Sequence, residues 1–256
     1  MKSSRTIYKI LILSVMVMLL PAFLYAADLK CDVISCAVEN TQRSEDDRQR
    51  DINRKPAQII SFFGITPGMT VLDMFAGGGY YTEILSGVVG PEGKVIAQNN
   101  AGYIAYTKDE LGQKLAVPGR MSNVVPLNVE VADLDLKDNS LDAVFLILSF
   151  HDFYHVAENW PAIDSKMLLA KFKKALKPGG VLAVVDHVAP AGTPSTSGDT
   201  LHRIDPAIAM REITAAGFTF DGESDILRNP DDNGTKPMWD ETIRGRTDRF
   251  VYRFVK

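Results

Sequence analysis

The chain has 256 residues, 46% of them hydrophobic and 23% charged, a balance that fits a packed globular protein and excludes a disordered, collagen-like or polytopic membrane chain. With 28 Lys plus Arg against 32 Asp plus Glu the formal net charge is -4, which argues against nucleic acid as a general partner. Two cysteines are too few for a disulfide scaffold or a multi-cysteine zinc module.

Residues 1–9 carry Lys2, Arg5 and Lys9 and no acid, Ile10 to Leu20 run apolar apart from Ser14, and Pro21 leads into a small-residue stretch ending Tyr25-Ala26-Ala27. This three-part layout predicts a secretory signal peptide over residues 1–26, cleaved near Ala26. The apolar run is short of the roughly 20 residues that a span requires, so no stable membrane insertion is expected after cleavage. An uncleaved anchor is the alternative, and in both cases the basic residues ahead of the apolar run place the remainder outside the cytoplasm, in a bacterial periplasm. Removal of residues 1–26 leaves 230 residues with 25 basic against 32 acidic side chains, a net charge of -7. Cys31 and Cys36 then sit close to the new N-terminus in an oxidising compartment, as a small-ring disulfide or as two unpaired thiols.

Residues 27–43 lack periodicity and read as an exposed tail ahead of one domain over residues 44–256. Ser44 with Asp47 makes a capping-box start for a charged helix to Lys55, and the apolar pattern Ile59, Ile60, Phe62, Phe63 after Pro56 predicts a second helix ending at Gly64. From Pro67 onward short β-branched runs alternate with helix-length segments, the pattern of a parallel sheet covered on both faces. Strands are predicted at Thr70 to Phe75, Lys94 to Gln98, Val124 to Val131, Leu141 to Ser149 and Val181 to Asp186. Helices are predicted at Tyr81 to Val88, Ala101 to Leu115 and Ala162 to Leu176. A loop rich in Gly, Pro, Ser and Thr follows, with the composition of a mobile lid over 190–204. A helix from Asp205 to Ala216 and strands at Phe218 to Leu227 and Arg249 to Val255 complete the chain.

The run Val71-Leu72-Asp73-Met74-Phe75-Ala76-Gly77-Gly78-Gly79-Tyr80-Tyr81-Thr82 places a strand, a glycine-dense turn and a helix start in succession, where backbone can approach a ligand closely. The spacing is not that of a dinucleotide fingerprint. It resembles the first motif of class I S-adenosylmethionine-dependent methyltransferases, whose strand-end acid precedes two glycines by four and six residues, as Asp73 precedes Gly77 and Gly79. The resemblance continues through Pro91-Glu92-Gly93-Lys94-Val95, Glu130-Val131 and Leu176-Lys177-Pro178-Gly179-Gly180-Val181. It is closest to a group of exported predicted methyltransferases of unassigned substrate, in Phe150-His151-Asp152, Asp186-His187 and His202-Arg203-Ile204-Asp205-Pro206.

The resemblance implies a Rossmann-like α/β fold, a mostly parallel seven-stranded sheet with an antiparallel last strand, and S-adenosylmethionine as cofactor. It implies that Asp73, Phe75, Ala76, Gly77, Gly79 and Tyr80 line the cofactor, that Asn99 bonds the ribose hydroxyls and that Glu130 bonds the adenine amino group. Two residues depart from the family: Asn99 replaces the usual acid, and Phe75 stands at the place of the usual first glycine. Phe at that place is similar to methyltransferases of nucleic-acid bases. Their Asp/Asn-Pro-Pro-aromatic motif is absent, with Ser149-Phe150-His151-Asp152 in its place, so base methylation is not expected.

All four histidines, His151, His155, His187 and His202, follow the fourth or fifth strand, where an open parallel sheet forms its ligand crevice. Transfer to an OH or NH acceptor requires alignment and removal of a proton, a task suited to histidine. His151 is the leading candidate base, with His187 and His202 next and Asp152, Asp186 and Asp205 orienting them or the acceptor. Arg203, with Asp205, is expected to bind substrate or close the lid. No ligand spacing for a metal is recognisable along the chain, and none is assigned. The expected activity is methyl transfer (EC 2.1.1 type) to a small-molecule or envelope acceptor. The alternative is an exported Rossmann-like ligand- or metal-binding protein without that activity.

Overall fold

In a computed structural model, residues 31–256 are described; the predicted signal peptide and residues 27–30 lie outside the described residues. Seven strands form one sheet: β1 (Thr70–Met74), β2 (Lys94–Asn99), β3 (Val124–Asn128), β4 (Leu141–Ile147), β5 (Leu176–His187), β6 (Thr219–Glu223) and β7 (Arg249–Val255). Their order is β3-β2-β1-β4-β5-β7-β6, with β1 to β5 parallel and β7 antiparallel to both neighbours. The chain winds outward from β1 in one direction and from β4 in the other. The junction between those two strands is therefore a topological switch point, the place where open α/β sheets bind ligands.

Alternation along each strand builds two cores. Leu72, Met74, Val144, Leu146, Leu182 and Val184 point to one face, under α7 (Ser165–Ala175) and α9 (Pro206–Ala215). Val71, Val95, Ala143, Phe145, Ala183 and Val185 point to the other, under α3 (Pro56–Phe63) and α4 (Tyr80–Val89). With side chains buried on both faces, the central strands read as unbroken apolar runs. No helix among the described residues is long and apolar enough to cross a membrane.

The described part of the expected tail, residues 31–43, is mostly exposed but is ordered by two buried anchors, Ala37 and Arg43. Cys31 and Cys36 are bridged, and Asp32 caps a short helix, α1 (Val33–Val38). Ala37 packs so closely on α4 that a Cβ at Gly87 would lie 2.8 Å from its own. Arg43 is fully buried and grips Asp51 of α2 (Glu45–Arg54) through two 2.7 Å bonds. This order comes from packing and a charge pair, neither of which has a periodic signature. The Ser44 hydroxyl accepts the Asp47 N–H as the predicted cap of α2.

The single helix predicted for Ala101 to Leu115 is broken into α5 (Ala101–Thr107) and α6 (Glu110–Leu115) by Lys108 and Asp109, both left-handed. The break lets Lys114 reach back to Asp47 (2.6 Å) and to the Gly78 carbonyl (2.8 Å). β3 ends at Asn128, short of Val131, because Glu130 turns to accept the Ala101 N–H at the start of α5. β5 begins early, at Leu176, where its pairing with β4 is interrupted by a register shift.

The segment expected as a lid, 190–204, is pinned rather than free. It contains a short helix, α8 (Ser197–Thr200), whose Gly198 lies against the His151 carbonyl. Ile204 pairs with His187 and Ala189 through main-chain bonds, and Gly192 donates to Asp205.

Candidate active site

β1 delivers Asp73 to the switch point, where the Thr82 hydroxyl of α4 donates to its carboxylate at 2.6 Å. Burial raises the Asp73 carboxyl to about 7, only partly offset by the hydroxyl and amide of Thr82. The turn that follows takes left-handed conformations at Phe75 (φ 55°), Gly77 (59°) and Gly79 (82°). For Phe75 that conformation costs about 1–2 kcal/mol. The ring offsets it by stacking on Tyr103 (5.3 Å) and lying against Trp160 (5.7 Å), while its N–H donates to the Gln98 side chain.

Asn99 does not present its amide to a ligand. Its Oδ1 accepts the Gly77 N–H (2.8 Å) and its Nδ2 donates to the Gly77 carbonyl (2.9 Å), in a residue only 2% exposed. This accounts for the departure from the usual acid. A carboxylate here would oppose one of its oxygens to the Gly77 carbonyl, whereas an amide satisfies donor and acceptor together. Asn99 thus braces the glycine turn from both sides of Gly77.

The cofactor fits this turn in three respects. Ala76, Gly77 and Gly78 are partly open, and Gly79 holds φ 82°, where a side chain would be strained and would also displace the tip of Leu111, 2.7 Å from its Cβ. Glu130 is half-buried with one oxygen on the Ala101 amide, and its other oxygen has no partner among the described residues. Tyr80 is committed elsewhere, since its hydroxyl donates to Asp51 (2.5 Å) and its ring receives Arg54 (4.4 Å) and Arg43 (5.3 Å). It ties the N-terminal helices to α4 and does not line the turn as expected.

β4 and β5 supply the second half. The buried Asp186 accepts three bonds of 2.7 Å, from the His151 and His187 amides and from His151 Nδ1. That leaves His151 Nε2 facing His202 Nδ1 and Asp152 Oδ1, each at 3.3 Å. Burial works to lower the His151 pKa, but the charges of Asp186 and Asp152 and the bond to Asp186 outweigh it and raise it to about 9. His202 is shifted down by burial and by the neighbouring His151. His187 is fully buried with Nδ1 at 2.6 Å from Thr247, and burial together with Arg249 drives it well below its ordinary value, so it stays neutral. His155 pairs with Asp199 at the rim.

Two predicted substrate residues are structural instead. Arg203 is fully buried, grips Asp232 through one nitrogen and donates to the Lys236 and Val188 carbonyls. Asp205 caps α9 and accepts from Ala207 and Gly192. In exchange the structure adds Tyr103 and Trp160, which link the two halves. The Tyr103 hydroxyl donates to Asp152 Oδ2 (2.6 Å), and Trp160 Nε1 donates to the Asp152 carbonyl (3.2 Å). Their only sequence signal is aromatic character beside Asn100 and Pro161.

The methyltransferase-domain family matches residues 72–184. A ubiquinone/menaquinone biosynthesis C-methyltransferase of Pseudomonas aeruginosa is 32% identical over 202 residues, covering 75% of this chain and 70% of the relative. One of Marinomonas is 27% identical over 197 residues, covering 73% and 71%. Among solved structures, a SAM-dependent methyltransferase from Aquifex aeolicus aligns with a TM-score of 0.58 at 23% identity, covering 82% of this chain and 94% of that one. A putative sarcosine dimethylglycine methyltransferase from Galdieria sulphuraria aligns with a TM-score of 0.59 at 15% identity, covering 82% and 87%. Sheet order, glycine turn and relatives agree: the chain belongs to the class I S-adenosylmethionine-dependent methyltransferases.

Proposed function

We propose that this methyltransferase acts outside the cytoplasm on a small-molecule or envelope acceptor, and that the acceptor's proton leaves through the histidine group at the ends of β4 and β5. The observation that carries the reading is the His151–Asp186 pair, which fixes one ring nitrogen and turns the other toward His202 and Asp152 at the ends of the strands. The cofactor contributes an electrophilic methyl carried on a sulfonium. Asp73, the Ala76–Gly79 backbone and Glu130 hold it, while Phe75, Tyr103 and Trp160 form an apolar wall that excludes water. With its pKa raised to about 9, His151 Nε2 takes the proton only after losing its own, so turnover should rise with pH toward 9, and Asp186 stabilises the imidazolium that results.

Export is supported by the N-terminal layout and by the Cys31–Cys36 bridge, a bond kept in oxidising compartments. The similarity to C-methyltransferases of ubiquinone/menaquinone biosynthesis favours a small-molecule acceptor methylated at carbon.

Titration calorimetry with S-adenosylmethionine and S-adenosylhomocysteine tests the reading. Asp73→Ala and Glu130→Ala should lose binding, whereas His151→Ala should bind and fail to turn over. Absence of saturable binding at millimolar cofactor in the wild type refutes it. Secretion of a reporter fused after residue 26 tests export.

A further inference from the structure

We propose that His151 Nε2, His202 Nδ1 and Asp152 Oδ1 form a binding site for a first-row divalent cation of the zinc type, open on one side to the acceptor. The argument is geometric. The three atoms are separated by 3.3, 3.3 and 3.7 Å. Donors held at about 2.0–2.1 Å from a tetrahedral ion stand roughly 3.3–3.4 Å from one another, so a single ion can touch all three with only small adjustment. Two imidazole nitrogens and one carboxylate oxygen make a donor set suited to zinc and its neighbours, and a poor one for magnesium or calcium.

The supporting contacts are those a metal centre needs. His151 holds its other nitrogen against the buried Asp186, which fixes the ring, and a cation at Nε2 takes the place of the proton that this nitrogen carries in the metal-free protein. Asp152 is oriented by the Tyr103 hydroxyl on its second oxygen. Together the two acids supply two negative charges against a dication. The His202 side chain is 24% exposed, giving an entry path, and three protein ligands leave a fourth position for an acceptor oxygen. The pattern is invisible along the chain because the ligands come from a tight turn at 151–152 and from residue 202.

A cation bound here would replace His151 as the group that draws the proton from the acceptor, by lowering the pKa of an oxygen it holds. The inference refines the proposed role of His151 and does not depend on the acceptor. Its test is metal binding itself. The chelator-treated protein, titrated with Co2+, should develop visible d–d bands that saturate at one equivalent and are displaced by Zn2+. His151→Ala and His202→Ala should each weaken binding at least 100-fold, and Asp186→Asn should weaken it about 10- to 100-fold, as for other partners of metal-bound histidine. Thermal melting and cofactor calorimetry on the metal-free variants establish that they fold. Absence of saturable Co2+ uptake below about 1 mM, or uptake that survives the double His151→Ala/His202→Ala change, overturns the site. Cofactor binding by metal-free protein keeps that failure separate from failure of the methyl-transfer reading.

Discussion

Asp73→Asn isolates the cost of holding an acid inside the sheet. The carboxyl is 4% exposed and its pKa rises from the ordinary value near 3.8 to about 7. The native protein therefore keeps a proton on Asp73 that the unfolded chain has already lost, across the window from about pH 4 to pH 7. Stability from this group is fully present below pH 3.8 and is lost as pH rises through 7. The whole displacement corresponds to roughly 4 kcal/mol, of which roughly 3 kcal/mol falls between pH 5 and pH 8. Asparagine has the shape of the protonated acid, can still accept from Thr82 and does not titrate, so the variant should gain on the wild type by that amount from pH 5 to pH 8. Urea denaturation of both proteins at unit pH steps measures the difference, and the other titrating groups, shared by both, cancel. A stability difference that stays constant within about 0.5 kcal/mol across that range would refute the reasoning.

Asn99→Asp restores the acid usual in the family, yet it should destabilise the protein by about 1–3 kcal/mol and weaken cofactor binding, because the Gly77 carbonyl loses its donor; tighter cofactor binding in calorimetry would show that Asn99 is not a brace. Arg203→Met should cost about 3–5 kcal/mol by leaving the buried Asp232 carboxylate without its cation. If thermal melting is unchanged and only the KM for acceptor rises, Arg203 is a substrate clamp after all. Reduction of Cys31–Cys36 closes off a loop constraint worth at most about 2 kcal/mol. It should lower the melting temperature by a few degrees without altering cofactor affinity.

The fold was legible where sequence patterns carry physical meaning locally. The apolar runs of β1, β4 and β5 announce strands buried on both faces, and β7 is bounded at Arg249 and Val255 as its alternation implies. What escaped was set by contacts between distant segments. Leu111 and Lys114 of α6 are called to the glycine turn and to Asp47, and no periodicity within 101–115 reports that the helix must break to let them arrive. Arg43 likewise reads as one more surface charge until its carboxylate partner on α2 is seen.

The same distinction governs the site. Asp73 and the glycines were identifiable because their spacing encodes a backbone shape. The histidines could be placed at one end of the sheet but not given roles, because a role depends on which nitrogen is already committed. Asp186 binds one nitrogen of His151 and turns the other toward His202 and Asp152, while Thr247 holds His187 in a buried neutral state. Arg203 and Asp205 show the reverse error. Charge in a loop after the fifth strand suggested substrate contacts, but burial requires each to be paired within the protein, by Asp232 in one case and by the Ala207 and Gly192 amides in the other. A charged residue thus carries a signal of function when its partners leave an atom unspent; among the described residues Glu130 meets that condition, whereas His151 has both ring nitrogens within 3.3 Å of a partner.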